Sequence, residues 1–355
     1  QYYKMAADKG NPEGMFLYGS MLENGTGIAA SSIEASRYYK MAADKGNSNG
    51  MYQYGRMNEK GVGMAINYNE AIRYYKMAIE KGNKLAMYNY GYMNEFGNGV
   101  QINYNEALRM YKMAAERGHS NSMFRYAYMH YNGTGVAVNY DIALKFYTMA
   151  DSLGNEGATN NLGTMYCQGK SCIADPKKAV QLFRIAAEKG DTMGNRNMGN
   201  MLYEGEGIEQ NYYKAIEYFK IAADKGDEYS MDKYASMLNN GNGCTVDHKE
   251  AAHYLKMAVD AGYIDSYVNY GIMLEEGEGV ECNRTEAARY YKMAADEGDR
   301  VGMYDYGLCL EYGKGVNKNQ KEAIRYYKMS AEKDYESAKK RLQEIQNSSK
   351  CCNIF

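Results

Sequence analysis

The 355-residue chain has no tryptophan, only two prolines and no apolar run long enough to cross a lipid bilayer. These absences, together with 38 glycines, predict a soluble helical protein whose loops turn at glycine. Neither sign of charge is in excess, because 42 Lys and Arg stand against 44 Asp and Glu. This balance provides no basic field and no acidic tail, so we expect no nucleic-acid partner.

Histidine and cysteine are few, and neither recurs with a regular spacing. The four histidines and seven cysteines form no paired metal-ligand pattern, so we predict no catalytic residue, no metal site and a reducing, cytoplasmic location. One local group has residue types that suit zinc: Cys244, Asp247, His248 and His253. Ordinary loop side chains are the interpretation that we favour for this group. A disulfide between Cys167 and Cys172, which flank a turn, is likewise the less favoured alternative.

Methionine and tyrosine are abundant, and they mark a repeat. The segment 73–78, Arg-Tyr-Tyr-Lys-Met-Ala, occurs in related form ten times at a spacing of 36 residues, without insertion or deletion. A fixed period of this length predicts a tandem-repeat solenoid and not two or three globular domains. We expect the 26 methionines and 39 tyrosines to fill the contacts between its helices.

Each repeat contains two helical patterns separated by a glycine turn. In the second repeat they cover residues 50–57 and 69–78, with Gly61-Val62-Gly63 between them, and we call them the first and second helix. Apolar residues of the second helix recur at i, i+3, i+4 and i+7, which marks one buried face. Gly55 lies inside the first helix at a cost of about 1 kcal/mol relative to alanine, which predicts close approach of a neighbouring helix. The predicted fold is all-α, a right-handed α/α superhelical solenoid of 36-residue helix-turn-helix repeats.

The period also sets the predicted domain limits. A half repeat at 1–10, about nine full repeats over 11–333 and a polar capping helix over 335–346 form a single solenoid domain, 1–346. Residues 347–355 are predicted to form a flexible tail. The turn at 169–172 lacks its second glycine, which predicts a local change of curvature. The Gly-x-Gly turns elsewhere follow a helix and not a strand, so they indicate no dinucleotide, and we expect no cofactor.

The third repeat shows the recurring motif in full: Ala86, Tyr90-Gly91, Gly97-Asn98-Gly99-Val100, Glu106-Ala107, Met110-Tyr111, Lys112-Met113-Ala114-Ala115 and Gly118. This motif resembles that of the Sel-1-like repeat, a relative of the tetratricopeptide repeat with a longer glycine-containing turn. Tyrosine usually stands where that family has leucine before the mid-helix glycine, and Tyr or Phe where it has tryptophan. The resemblance covers nearly the whole chain. It implies an α/α solenoid that acts as an adaptor or as part of a larger assembly.

Four sets of equivalent positions on the first helices vary between repeats, and we call each set of positions spaced by 36 residues a column. The variable columns contain Glu13, Phe16, Leu17 and Ser20, which at i, i+3, i+4 and i+7 form one stripe on the helix. Tyr, Arg and Asn occur there, and protein interfaces favour such side chains. We therefore predict a partner-binding surface on the concave first-helix side. Its predicted residues are Phe16, Tyr52, Arg56, Tyr88, Asn89, Tyr92, Phe124, Arg125, Tyr128, Asn161, Asn197, Lys233, Asn269 and Tyr304.

Within this set, the aromatic residues of the first four repeats are the predicted anchors: Phe16, Tyr52, Tyr88, Tyr92, Phe124 and Tyr128. The alternative, that exposed helix positions vary because nothing constrains them, stays open.

The last four residues, Cys352-Asn353-Ile354-Phe355, match the prenylation pattern of cysteine, two residues and a terminal phenylalanine. Cys351 offers a second lipidation position, and stable anchoring generally needs two lipid signals. This pattern predicts peripheral attachment at the cytoplasmic face of a membrane. A chance match of four residues is the alternative.

The leading functional hypothesis is a non-catalytic scaffold or adaptor that binds a peptide or protein along the concave first-helix surface. A second hypothesis is a structural component that packs laterally, through its second helices, in a cytoskeletal or membrane-associated assembly. A third is the regulatory repeat region of a longer enzyme such as a kinase. The sequence leaves the identity of the partner and the oligomeric state open.

Overall fold

A computed structural model describes the backbone of residues 1–352 and the side chains of residues 1–347. This part of the chain contains twenty helices and no strand, which confirms the all-α prediction. The chain divides into two compact units, Gln1–Asp175 and a second that begins at Pro176. The division follows the irregular turn at 169–172, where Ser171 takes a positive φ of 57°. The domain limits drawn from the sequence stay a prediction.

The unit Gln1–Asp175 contains ten helices, of which the even-numbered are first helices and the odd-numbered are second helices. They are α1 (Tyr2–Asp8), α2 (Pro12–Asn24), α3 (Ser32–Asp44), α4 (Ser48–Lys60), α5 (Tyr68–Glu80), α6 (Lys84–Phe96), α7 (Tyr104–Ala115), α8 (Ser120–Asn132), α9 (Tyr140–Ser152) and α10 (Glu156–Gln168). Each first helix from α2 to α8 packs against the second helix that follows it.

The second unit repeats this arrangement with another ten helices. They are α11 (Pro176–Glu188), α12 (Thr192–Glu204), α13 (Tyr212–Asp224), α14 (Glu228–Asn240), α15 (His248–Asp260), α16 (Asp265–Glu276), α17 (Arg284–Asp296), α18 (Arg300–Tyr312), α19 (Gln320–Glu332) and α20 (Glu336–Cys352). The first helices are again even-numbered.

The helix ends follow from local sequence. The Asn47 side chain accepts a hydrogen bond of 2.7 Å from the Gly50 amide, and Asn67 accepts one of 3.1 Å from the Glu70 amide. These contacts satisfy amides that have no partner inside the helix. At the other end, α4 stops at Gly61 with a left-handed φ of 68°, which glycine adopts without steric cost.

The mid-helix glycines lie where a tyrosine ring of the second helix meets the backbone of the first. A Cβ atom at Gly55 would lie 2.9 Å from Cδ1 of Tyr75, so glycine is what allows this contact. Tyr75 and the neighbouring Ala71 and Ala78 are fully buried. The predicted close approach is confirmed, and the conformational cost of the glycine is offset by burial of a large ring.

The last helix, α20, extends beyond the predicted end at residue 346. It runs from Glu336 to Cys352, because neither glycine nor proline interrupts this stretch. Its Leu342 and Ile345 pack against the buried cluster of Leu310, Ala323 and Tyr327. The side chains of Cys351 and Cys352, and all of residues 353–355, lie outside the described residues. Lipidation there stays a prediction.

Candidate functional site

The predicted partner-binding residues all lie on first helices, and most are half-buried. Tyr128 and Asn269 are exposed, whereas the other twelve are each partly covered by neighbouring side chains. The stripe therefore contributes to packing between repeats while keeping part of its surface open to solvent. Each residue type has a distinct role in this arrangement, as its contacts show.

The four anchors in the Phe16 column each lie against a core tyrosine of a second helix. The ring centroids are 6.0 Å apart for Phe16 and Tyr39, 6.1 Å for Tyr52 and Tyr75, 5.9 Å for Tyr88 and Tyr111, and 5.7 Å for Phe124 and Tyr147. One side of each of these rings is thus part of the hydrophobic packing, since aromatic pairs at such distances attract.

A partly exposed aromatic group on the first helices of the first unit surrounds Arg125. The ring centroids of Tyr92 and Phe96 are 4.4 Å apart, and Cζ of Arg125 lies 5.0 Å from the Phe96 ring and 5.5 Å from the Tyr128 ring. Phe96 is 47% exposed and Tyr128 is 38% exposed. We call Tyr92, Phe96, Arg125 and Tyr128 the Arg125 cluster.

Phe96 is a member of this cluster that the sequence analysis missed. Its column is otherwise mostly polar, as at Asn24, Lys60 and Asn132, and Tyr312 is its one other aromatic residue, so aromatic recurrence is a weak signal there. A usable signal was its spacing of four residues from Tyr92, which places both rings on one helix face.

Arg56 and Arg125, predicted to bind a partner, are engaged within the chain. The Arg56 guanidinium donates to the Glu23 carboxylate, and both Nε and Nη2 of Arg125 donate to the Glu95 carboxylate. The Glu95 side chain is only 5% exposed. A buried carboxylate without a cation is costly, so the first requirement on these arginines is to neutralise it.

The same carboxylates accept a hydrogen bond from a core tyrosine sixteen residues later in the chain. The donor and acceptor pairs are Tyr39 and Glu23 (2.8 Å), Tyr75 and Glu59 (2.6 Å), Tyr111 and Glu95 (2.7 Å), Tyr291 and Glu275 (3.1 Å), and Tyr327 and Glu311 (2.7 Å). Burial, and then the nearby Glu59, raise the pKa of Tyr75, so its hydroxyl stays protonated and donates.

Sequence reasoning missed these tyrosine–glutamate pairs, although a signal exists. Where the second helix has Phe219 or Leu255 in place of the tyrosine, the residue sixteen positions earlier is Tyr203 or Asn239 and not glutamate. Apart from Tyr147, which has Tyr131 sixteen positions earlier, covariation between the two columns identifies the pairs, because a buried carboxylate and a buried hydroxyl satisfy one another.

The predicted asparagines also bind within the chain. Nδ2 of Asn89 donates to the Tyr75 hydroxyl at 3.1 Å, and Nδ2 of Asn161 donates to the Tyr147 hydroxyl at 3.0 Å. Nδ2 of Asn269 donates to Asp232 at 2.9 Å. These amides link each first helix to the preceding repeat, while Asn269 keeps most of its surface exposed.

In the second unit, two cations converge on the ring of Tyr229. Cζ of Arg196 lies 4.2 Å from its centroid and Nζ of Lys233 lies 5.4 Å from it. Nη1 of Arg196 also contacts Asp227 at 3.3 Å. Lys233 forms no ion pair with any side chain among residues 1–347. This half-buried ammonium is held by ring faces.

The remaining predicted residues of this unit are Asn197 and Tyr304. Asn197 is half-buried on α12. The Tyr304 ring packs against Tyr327 and Tyr335, with centroids 5.6 and 5.4 Å away. Tyr304 thus joins α18 to its neighbours and exposes one edge of its ring.

Asp305, next to Tyr304, is a largely enclosed carboxyl. No hydrogen bond or ion pair joins it to another described residue. Burial, followed by the charges of Glu275 and Asp299, raises the pKa of Asp305 to about 7, while Lys314 acts in the opposite direction. At neutral pH this carboxyl is therefore present in both protonation states.

The residues weighed for zinc do not converge. Cys244 Sγ donates to the Met237 carbonyl at 3.6 Å, and the His248 ring lies 2.6 Å from Asn239 Oδ1. In the described part of the chain, no group of three His, Cys, Asp or Glu side chains is arranged to hold a metal ion. Cys172 Sγ donates to the Met165 and Lys170 carbonyls, and it and Cys167 are thiols.

Among the described residues, no helix combines the length and apolar character that crossing a membrane requires.

Comparison with protein families extends over almost the whole chain. A family model described as Sel1 repeat matches ten stretches: 1–11, 12–47, 48–83, 84–119, 120–155, 157–191, 192–227, 229–263, 264–299 and 301–335. No curated protein matches the chain significantly.

Solved structures that resemble this one include the following two. The first is c5321, a protective antigen of uropathogenic Escherichia coli strains with an SLR fold, at 26% identity and a TM-score of 0.87, covering 98% of this chain and 74% of the other. The second is a Sel1 repeat protein from Oxalobacter formigenes, at 27% identity and a TM-score of 0.64, covering 69% of this chain and 96% of the other.

Proposed function

Because this chain belongs to the Sel1 repeat family, we propose that it is a non-catalytic scaffold that binds a peptide or protein segment along the first-helix surface of Gln1–Asp175. Repeat solenoids present extended surfaces to partners, and the family's fold is typical of protein-interaction scaffolds. The binding residues would be those of the variable columns, since the recurring columns form the packing between helices. No covalent step is part of this proposal.

The observation that carries the proposal is the Arg125 cluster. Aromatic side chains and arginine dominate the binding energy of many interfaces, and exposed rings on a rigid helix lose little conformational freedom on binding. Tyr92, Phe96 and Tyr128 lie around a guanidinium that Glu95 already holds in place. The cluster is therefore preorganised, and an apolar partner side chain would pack on the Phe96 and Tyr128 rings.

The remaining stripe residues of this unit would extend the contact. Tyr52 and Tyr88 keep one face against core tyrosines and are half-buried, so they offer ring edges to a partner. Arg56 and Asn89 use donors within the chain. We infer that these residues shape the surface, and that the Arg125 cluster contributes most of the affinity.

The test is selection of a random 12-residue peptide display library on the full chain, followed by affinity measurement on variants. The double variant Phe96→Ala/Tyr128→Ala should weaken the selected peptides by about tenfold or more, the effect of losing interface anchors. Tyr213→Ala is the matched control, because Tyr213 lies on the second helix α13 and is 74% exposed. Peptides that bind the double variant as well as the native chain would contradict the proposal.

Lateral packing through second helices is the second candidate, and exposed apolar side chains favour it. Ile185 on α11 and Ile221 on α13 are equivalent residues of successive repeats, 43% and 44% exposed. The same selection distinguishes the candidates. Loss of binding with Tyr213→Ala, and retention with the double variant, would assign the contact to the second-helix surface.

A further inference from the structure

Three cations on first helices occupy one column at intervals of three repeats: Arg125 on α8, Lys233 on α14 and Arg341 on α20. Because their backbone positions are equivalent, their surroundings can be compared directly. The relevant partner position lies thirty residues earlier in the chain. It is Glu95 for Arg125, Glu311 for Arg341 and Tyr203 for Lys233.

Two of these cations are neutralised by that partner. Arg125 Nε lies 3.1 Å from Glu95 Oε2, and its Nη2 donates to the other carboxylate oxygen. Arg341 does the same with Glu311, through Nε at 3.0 Å and Nη2 at 2.6 Å. Forked contacts of this kind are among the stronger hydrogen bonds in proteins.

Lys233 is a cation in the same column as Arg125 and Arg341, but it has no glutamate thirty residues earlier. Nζ of Lys233 lies 6.0 Å from the centroid of Tyr203, the residue that replaces glutamate, and 5.4 Å from that of Tyr229. The replacement follows from the core: the second helix has Phe219 here, which has no hydroxyl to satisfy a buried glutamate. The charge of Lys233 therefore lacks a counterion that its column provides elsewhere.

The other charges around Lys233 do not supply that counterion. Asp227 forms its ion pair with Arg196, which also approaches the Tyr229 ring, and not with Lys233. Asp232, the residue before Lys233, accepts hydrogen bonds from Ser266 and Asn269, both at 2.9 Å. Lys233 is thus a half-buried cation with tyrosine rings beside it and no ion-pair partner among the described residues.

We infer that the first-helix surface of the second unit binds an acidic side chain of a peptide partner at Lys233, between the Tyr203 and Tyr229 rings. The inference rests on the proposed function in one respect, since it takes the ligand to be a peptide. A partner carboxylate would occupy the role that Glu95 and Glu311 have for Arg125 and Arg341. Arg196, whose Cζ lies 4.2 Å from the Tyr229 centroid, places a second cation near this ring, which favours an Asp or Glu side chain over an amide.

The experiment uses the full chain and selects random 12-residue display peptides on the native protein and on the variants Lys233→Gln, Lys233→Arg and Lys214→Gln. Lys214 is the matched control, because it is exposed on the second helix α13 and forms no ion pair with a described side chain. Its loss removes the same charge from the other side of the repeat. Circular dichroism checks that each variant keeps its helical content.

Peptides selected on the native chain, on Lys214→Gln and on Lys233→Arg should share an Asp or Glu at one position, and those selected on Lys233→Gln should not. Changing that acid to its amide should weaken binding to the native chain by about tenfold, a usual effect for a charge-assisted contact. The same change should have little effect with Lys233→Gln, because the two substitutions remove one interaction.

The outcomes separate this inference from the proposed function. Selected peptides without a shared acid, or an acid preference that Lys233→Gln retains, would overturn the inference and leave the scaffold proposal in place. Failure to select any peptide would overturn both.

Discussion

The first-helix surfaces of the two units differ in whether their charged side chains have ion-pair partners. In Gln1–Asp175, the buried carboxylates of Glu23, Glu59 and Glu95 each contact a tyrosine hydroxyl and a cation. In the second unit, Glu275 and Glu311 also each contact a tyrosine hydroxyl and a cation. Lys233 and Asp305 are different. These two belong to the same column, and neither has an ion-pair partner in the described part of the chain.

This difference shows which repeats compensate their buried charges within the chain and which do not. A buried ion pair contributes little net stability, but an uncompensated buried charge is strongly unfavourable. The first unit avoids such charges and leaves aromatic rings exposed. The second retains the half-buried Lys233 and the largely enclosed Asp305 without ion-pair partners, and binding of a partner is one way in which such a charge is neutralised. The same backbone thus supports two kinds of surface.

Arg125→Ala should have the largest effect on stability, because it removes the cation from Glu95. The carboxylate would stay buried with only the Tyr111 hydroxyl, and we expect a loss of about 3 kcal/mol in the free energy of unfolding. Urea denaturation followed by circular dichroism measures this. Arg109→Ala, which breaks the exposed pair with Glu106, is the control and should cost less than about 1 kcal/mol. Equal losses would contradict the comparison.

Asp305→Asn should stabilise the chain at high pH. The pKa of Asp305 is raised to about 7 in the folded state, so the unfolded state loses this proton first as pH rises. Stability should therefore fall between about pH 4 and pH 7 in the native chain. The free energy of unfolding of the variant should be about 2 kcal/mol higher than that of the native chain at pH 8, and the same near pH 4. Thermal melts at both values provide the measurement, and equal shifts at both would refute the assignment.

Tyr203→Glu should convert the Lys233 site into a copy of the Glu95 and Arg125 pair. The new carboxylate would neutralise Lys233 from within, so acidic peptides selected on the native chain should bind about tenfold more weakly. Tyr203→Gln introduces a side chain of nearly the same size as glutamate but without its charge, and it should weaken binding of these peptides less. Fluorescence titration with a labelled peptide compares the two. Similar affinities for both variants would show that Lys233 is not the cation that binds the acidic side chain.

His130→Leu should have the smallest effect, and it tests whether the first unit tolerates any unsatisfied polar group. Neither ring nitrogen of His130 has a hydrogen-bond partner among the described residues, and leucine occupies this column at 202, 238 and 274. We expect a gain of about 1 kcal/mol in the free energy of unfolding at neutral pH.

The gain should increase on acidification. Burial, and then Lys112, lower the pKa of His130 in the folded state, so the unfolded state takes up the proton first as pH falls below about 6.5. The native chain should lose stability there, and the leucine variant should lose less. Parallel pH profiles of the two melting temperatures would contradict this explanation.

Sequence patterns predicted the elements well because they depend on local rules. The 36-residue period and the close approach at Gly55 follow from residue type and spacing. The candidate site was predicted only in outline. The variable columns mark its surface, but Arg56 and Asn89 donate within the chain, and Phe96 lies in a column whose one other aromatic residue is Tyr312.

The amino-acid sequence by itself determined the repeat, its two helices, its family and the columns that are free to vary, because each depends on periodicity along one chain. Tertiary structure alone decided which charges are neutralised. Glu95 contacts Arg125, thirty residues later on another helix. At the equivalent place, Lys233 contacts only the rings of Tyr203 and Tyr229. Electrostatic interactions depend on distance and burial in three dimensions, and neither quantity can be obtained from spacing along the chain.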